Sequence, residues 1–227
     1  MNPQSDMVSE VKTLTGIRRV AARRMTEAWV APMFHLNVQV DMTNVLTLGR
    51  SLPDTTVTDL LLYACSRALL EHPALNAHYD RESVTEFRSV NLGLAVDTEQ
   101  GLTVPVIHGL ESLSLQQLGE RRKDVVGRAR LGKLTMADVE GGTFTVSNLG
   151  MVGVGYFDAI LNPPQVCILA VGSTQDRVVP LDGQVAVRPC ADLTLTCDHR
   201  AVDGAAGARF LATLRRLLEA EPPWPIR

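Results

Sequence analysis

Helical and strand-like segments alternate along this 227-residue chain in no regular order. Residues 34–40 (FHLNVQV) alternate apolar and polar side chains, as in a strand with one buried face. Residues 58–70 (TDLLLYACSRALL) instead repeat apolar side chains at helical spacing, with Thr58 as the N-cap and His72-Pro73 as the end. No linker rich in Pro, Gly or Ser and no internal repeat interrupts this order, so the pattern predicts one mixed α/β or α+β domain.

The remaining elements follow from the same two periodicities. Further helices are predicted from Thr15 to a stop at Pro32 and over 113–130, 136–139 and 205–219. Further strands are predicted at 84–96, 103–107, 143–147, 166–171 and 193–197. Residues 1–13 are expected to form a flexible lead-in to a domain over 14–227.

Charge and composition argue against two classes of partner. Lys and Arg number 22 against 25 Asp and Glu, a net charge of −3, which gives no broad attraction for nucleic acid or an anionic membrane. Aromatic residues make up 4%, too few for a platform that stacks bases. The polar start shows no secretory signal, and the longest apolar runs, such as 166–172, are too short to span a bilayer. A cytoplasmic protein is therefore expected.

The four cysteines show no metal-binding or disulfide pattern. Cys65, Cys167, Cys190 and Cys197 have no CxxC spacing and lie in apolar or strand-like runs. Such positions predict reduced, mostly buried thiols rather than disulfides or a zinc site.

Two glycine-rich segments resemble nucleotide-binding motifs only superficially. Residues 127–134 nearly match a phosphate-binding loop, but Leu134 replaces the hydroxyl residue that would hold Mg²⁺, so a helix end and turn are predicted there. Residues 150–155 carry the glycines of a dinucleotide fingerprint in the wrong order, without a surrounding strand and helix.

The segment from Asp198 to Gly204 (DHRAVDG) lies between an apolar strand and an Ala-rich helix. A histidine at such a junction, here His199, is held rigidly while facing a cleft, as a general base must be. Asp203 would orient a local group. By spacing alone, a helix-capping aspartate and a surface histidine with satisfied hydrogen bonds remain the simpler interpretation, and two ligands without a third argue against a metal.

Ser147 ends a predicted strand beside a glycine-rich turn. A hydroxyl there can donate a hydrogen bond to a developing oxyanion. The alternative is a Ser/Asn turn that satisfies its own backbone.

Taken together, these segments resemble the catalytic domain of the 2-oxoacid dehydrogenase acyltransferases. TFTVSNLGMVGVGYFDAILNPPQVCILAVG and the downstream DHRAVDGAAGARFL carry the resemblance. GIRRVAARRM is similar to the opening helix of that domain, VTDLLLYACSRALLEHPALNA to its first long core helix, and NLGLAVDTEQGLTVPVI to the strand pair that follows. The resemblance covers about residues 14–220.

The resemblance implies a chloramphenicol-acetyltransferase-like fold, a mixed sheet flanked by helices, assembled as homotrimers or larger shells with active sites at the subunit interfaces. It implies that His199 is the general base, that Ser147 of the neighbouring subunit bonds the oxyanion, and that Asp203 supports the histidine loop or the proton transfers. CoA or acetyl-CoA is the implied co-substrate, and no metal is implied. No residue is assigned to CoA binding.

The acceptor is the open point. Acyltransferases of this family normally carry lipoyl and peripheral-subunit-binding domains before the catalytic domain, and we find neither these domains nor a lipoyl attachment site here. We therefore expect a free-standing enzyme that acetylates a hydroxyl of a small-molecule or carrier-bound acceptor, for example a tetronate-type natural product. The alternatives are the dihydrolipoamide acyltransferase core of a 2-oxoacid dehydrogenase complex and, third, an inactive scaffold.

Overall fold

The computed structural model describes residues 13–14 and 16–221. Its helices are α1 (Gly16–Ala28), α2 (Thr43–Ser51), α3 (Val57–Glu71), α4 (Leu115–Arg130) and α5 (Gly204–Glu219). Its strands are β1 (Met33–Asp41), β2 (Ala77–Asp80), β3 (Ser83–Glu86), β4 (Leu92–Leu94), β5 (Val106–Ile107), β6 (Phe144–Asn148), β7 (Cys167–Val171), β8 (Gln175–Leu181) and β9 (Gln184–Asp198). None of the described helices is long and apolar enough to cross a membrane.

Seven of these strands form one mixed sheet. The order is β1-β9-β7-β6-β4-β5, and β8 pairs with the first half of β9. The pairs β6–β7 and β4–β6 are parallel, whereas β9 runs antiparallel to β1, β7 and β8. Strands β2 and β3 form a separate two-stranded sheet. The prediction of a mixed sheet flanked by helices is confirmed.

The two faces of the sheet differ because side chains alternate along each strand. One face contributes Phe144, Val146, Leu169, Leu193 and Leu195 to the main core, where helices α2 to α5 pack on it. None of the described helices covers the opposite face in this way. There a small apolar cluster (Ala31, Ala159, Leu161, Ile168 and Ala170) covers part of the sheet and leaves a polar area towards β1.

Most element predictions are confirmed within a few residues, but helix α3 begins earlier than predicted. Its N-cap is Thr56, not Thr58, because Thr56 and Asp59 form a capping box in which each side chain bonds the other's backbone. The predicted strand over 84–96 is two strands, β3 and β4, in different sheets. The apolar pattern of a strand does not indicate which sheet the strand joins, so the sequence pattern did not separate β3 from β4.

The sequence patterns miss α2, β2 and β8 and find only the last third of β9. Helix α2 has nine residues, and its short pattern includes Gly49. Strand β8 and the first residues of β9 are largely exposed, so no buried face marks them as strands. Residues 1–12 of the expected lead-in and residues 222–227 lie outside the described residues. One catalytic domain over 14–227 stays a prediction.

Candidate active site

Ser147 lies on the face of the sheet opposite the main core. Strand β6 places Phe144 and Val146 in the core, so Thr145 and Ser147 face the other way. Ser147 is half-buried, and its hydroxyl makes no hydrogen bond within the described part of the chain. The hydroxyl can therefore bond a ligand without first losing a protein partner.

A polar row crosses the sheet beside Ser147. The strand register places Ser147 opposite Ala170, Ala170 opposite Thr194, and Thr194 opposite Asn37. The amide of Asn37 donates to the Thr194 hydroxyl at 3.0 Å. Because the side chain of Ala170 is only a methyl group, the surface of the sheet between Ser147 and Thr194 is shallow beside the serine hydroxyl.

The segment after Ser147 is held by close backbone packing. The Asn148 side-chain oxygen accepts a hydrogen bond from the Gly150 N–H at 2.9 Å. A Cβ on Gly172 would lie 2.0 Å from the Gly155 carbonyl oxygen, so only glycine fits there. Gly150 and Gly155 therefore serve this packing. No strand–loop–helix unit surrounds them among the described residues, which argues against a dinucleotide site. The predicted helix end over 127–134 is confirmed by the end of α4 at Arg130 and a left-handed Gly132.

His199 follows the last residue of β9. Its N–H donates to the Pro32 carbonyl at 3.0 Å, and its ring lies 4.7 Å from the Phe34 ring. The residue is exposed, and neither ring nitrogen has a hydrogen-bond partner among the described residues. The imidazole is therefore free to take a proton from a bound group.

Asp203 is the N-cap residue of helix α5. Its carboxylate accepts a hydrogen bond from the Ala206 N–H at 2.7 Å, as an N-cap residue does. The capping alternative drawn from the sequence is therefore confirmed, and Asp203 fixes the point at which the His199 loop enters the helix.

One chain does not bring Ser147 and His199 together. His199 lies five residues beyond Thr194, and Thr194 is two strands away from Ser147. Five residues along a strand span about 16 Å, and two strand spacings span about 10 Å. Ser147 and His199 therefore lie roughly 20 Å apart. They cannot both contact one carbonyl group of a substrate bound to a single chain.

The cysteines are free and buried, as predicted. Burial raises the pKa of Cys65 and that of Cys167 well above the usual thiol range, which keeps both thiols protonated and unreactive. No group of three or more His, Cys, Asp or Glu side chains suited to a metal ion occurs within residues 13–14 and 16–221.

The sequence over residues 7–224 matches the family of 2-oxoacid dehydrogenases acyltransferase (catalytic domain). The chain belongs to this family. The predicted resemblance to this acyltransferase family is confirmed.

Relatives and solved structures agree with this family. The chain is 36% identical over 214 residues to the dihydrolipoyllysine-residue acetyltransferase component of the pyruvate dehydrogenase complex from Rickettsia bellii, covering 90% of this chain and 51% of that protein. The crystal structure of Azotobacter vinelandii dihydrolipoamide acetyltransferase superposes with a TM-score of 0.88 at 31% identity, covering 94% of this chain and 93% of that one. Chloramphenicol acetyltransferase, 14% identical, shares the fold with a TM-score of 0.59 over 86% of this chain and 94% of that one.

The expectation of an enzyme that acetylates a hydroxyl of a small-molecule or carrier-bound acceptor is wrong. The relatives are dihydrolipoyl acetyltransferases, which fits the alternative instead, and nothing supports natural-product biosynthesis. The physical reason is that a histidine base and an oxyanion donor serve a thiol and an alcohol equally well, so the motif does not encode the acceptor. The expectation rested on chain extent, yet the chain spans about half the length of the curated relatives it matches.

The sequence-based search singled out His199, Ser147 and Asp203 but missed three residues around the histidine. Asp198 and Arg200 flank it, and Tyr79 packs on Arg200 from β2. The sequence DHR places an acidic and a basic residue on either side of the histidine. This pattern was the available indication that Asp198 and Arg200 could form an ion pair. Nothing in the sequence indicates Tyr79, because it lies 121 positions from Arg200.

Proposed function

We propose that this protein is the catalytic part of a dihydrolipoyl acetyltransferase and moves an acetyl group between CoA and a dihydrolipoyl thiol. One observation carries the proposal. In the Azotobacter vinelandii enzyme a serine, a histidine and an asparagine were investigated for their roles in the catalytic mechanism. The intervals between those three residues equal the intervals between Ser147, His199 and Asp203.

The chemistry proposed for the site needs only these groups. His199 takes the proton of the attacking thiol, and the thiolate forms a new C–S bond to the thioester carbonyl. The carbonyl oxygen becomes an oxyanion, to which the Ser147 hydroxyl donates a hydrogen bond. The old C–S bond then breaks, and the leaving thiolate takes the proton back from the imidazolium. Proton and electron pair are balanced, so no metal or redox partner enters this step.

We infer that a second copy of the chain completes each site. The separation of roughly 20 Å between Ser147 and His199 supports a trimer in which Ser147 of one copy faces His199 of the neighbouring copy across an interface. The partners proposed are therefore two further copies of this chain, CoA, and a lipoyl group carried on a lysine.

The test is acetyl transfer from acetyl-CoA to dihydrolipoamide, with the thioester product identified by mass spectrometry. We expect His199→Ala to lower kcat by about 10³-fold and Ser147→Ala by about 10²-fold or more, with assembly intact. The exposed His108, near the opposite edge of the sheet, provides a matched control as His108→Ala. Undiminished transfer by His199→Ala, or product formed only with alcohols, contradicts the proposal.

A further inference from the structure

A closed ring of hydrogen bonds spans His199. Arg200 donates from Nε to Asp198 Oδ1 at 2.9 Å and from a terminal nitrogen to Oδ2 at 2.6 Å. The backbone N–H of Arg200 also donates to Asp198 Oδ1 at 3.0 Å. Residues on both sides of the histidine are therefore tied to each other, and the backbone torsions between them have little freedom.

The inner end of this ring is anchored in the core of the fold. Asp198 is 3% exposed. Its N–H donates to the Val166 carbonyl, and its own carbonyl accepts from the N–H groups of Ala201 and Val202. A carboxylate in this position needs a partner, and Arg200 supplies a planar, two-pronged one that lysine cannot imitate.

The outer end is anchored on a separate element. The Arg200 guanidinium lies 4.2 Å from the centre of the Tyr79 ring, a cation–π contact. Tyr79 belongs to β2, and its N–H donates to the Pro164 carbonyl at 2.9 Å. The guanidinium is thus held between the end of β9 and the two-stranded sheet.

The imidazole lacks support of this kind. Within the described residues its nitrogens make no hydrogen bond, and Phe34 is its ring contact. In many enzymes a carboxylate bonded to the far nitrogen orients a catalytic histidine. Here the direction of the ring depends instead on the backbone that carries it.

We propose that Asp198, Arg200 and Tyr79 are positioning residues for His199 and that they set the direction in which its imidazole leaves the sheet. None of the three needs to touch the substrate for this role. The proposal rests on the proposed function of His199 as the base.

The test measures kcat and KM for acetyl-CoA and dihydrolipoamide in the full chain. Misplacing a catalytic group by about 1 Å can cost 10²-fold, so we expect Arg200→Met to lower kcat by about 10²-fold. Both KM values should stay within about twofold, because binding contacts are not removed. Arg200→Lys keeps the charge without the fork and should lie between Arg200→Met and the unmodified protein.

Tyr79 provides a second variant that leaves Asp198 paired. Tyr79→Phe keeps the ring face and should retain full kcat, whereas Tyr79→Leu should lower kcat by about tenfold, because the cation–π contact is lost. If Tyr79 acts through Arg200, Tyr79→Leu should add little in the Arg200→Met background. A variant that unfolds would lose its assembly together with its activity, whereas a displaced imidazole lowers kcat in an intact assembly.

The control is another arginine with a two-pronged bond to an aspartate. Arg128 pairs with Asp138 through two nitrogens at similar exposure, near the opposite edge of the sheet, so Arg128→Met should keep kcat. The proposal is overturned if Arg200→Met or Tyr79→Leu keeps full kcat in an intact assembly, or if KM rises in proportion to the loss. If His199→Ala itself remains active, the proposed function fails instead.

Discussion

At the scale of single residues, the side chain of Asp203 stabilises the start of helix α5. Its carboxylate bonds the N–H of Ala206 and lies at the surface of the chain, four residues after His199. The same hydrogen bond can be made by an asparagine amide oxygen, because Asn and Asp are about equally good N-caps. Its contribution to folding should therefore depend on shape rather than on charge.

Substitutions at Asp203 separate these two properties. We expect Asp203→Ala to lower the free energy of unfolding by about 1 kcal/mol, because the cap is lost. Asp203→Asn should change it by no more than a few tenths of a kcal/mol. Urea unfolding followed by circular dichroism measures both. An equal loss in the two variants would mean that the negative charge, not the cap, stabilises the start of α5.

At the scale of elements, a buried ion pair joins α3 to α4. Asp59 is fully buried, bonds the N–H and hydroxyl of Thr56, and accepts two hydrogen bonds from Arg122. Burial acts to raise the pKa of Asp59, but the hydrogen bonds from Arg122 and Thr56 outweigh it, so the pKa lies below its usual value. The helix start and the packing between helices therefore depend on one ionised carboxylate.

The lowered pKa of Asp59 has a definite sign for stability. A group whose pKa is lower in the folded chain stabilises that chain above its unfolded pKa, and the contribution is lost as pH falls through the folded value. We expect the pair to contribute fully at neutral pH and to weaken below about pH 4. Urea titrations of the unmodified chain and of Asp59→Asn should diverge least at the lowest pH. A constant difference across pH would contradict this.

Removing one partner should lower the free energy of unfolding by more than the intact ion pair contributes to it. Arg122→Met leaves a buried carboxylate without its counter-charge, and we expect a loss of about 3 kcal/mol in unfolding free energy. The double variant with Asp59→Asn should lose clearly less than the sum of the two single variants. Strict additivity in urea unfolding would show that the two side chains do not act on each other.

For the whole molecule, the distance between Ser147 and His199 makes mixing of subunits informative. Ser147→Ala and His199→Ala chains are each expected to retain about 1% of the unmodified kcat or less when alone. When the two are co-expressed with different tags and co-purified, about a quarter of the interfaces in a random equal mixture should join an intact Ser147 to an intact His199. We therefore expect up to about a quarter of the unmodified rate in the acetyl-transfer assay. Activity at background in a mixed assembly would contradict a site shared between subunits.

Local patterns were sufficient for most of the architecture and for choosing candidate site residues. Periodicity located α3, α4, α5 and β1 within a few residues, because each of these elements buries one continuous face. It also located α1, although Ala28 is the one buried residue of that helix. The DHR and SNLG segments identified His199 and Ser147 as candidates, since those residue types at strand ends can do acid–base and oxyanion chemistry.

The tertiary structure decided everything that depends on residues distant in sequence. Strand β9 lies between β1 and β7, and Asp59 of α3 meets Arg122 of α4, which is 63 positions away. The same holds at the site, where register separates Ser147 from His199 and folding brings Tyr79 onto Arg200. Periodicity reflects which face of an element is buried, whereas pairing partners, distances and the acceptor depend on contacts between elements that no local pattern contains.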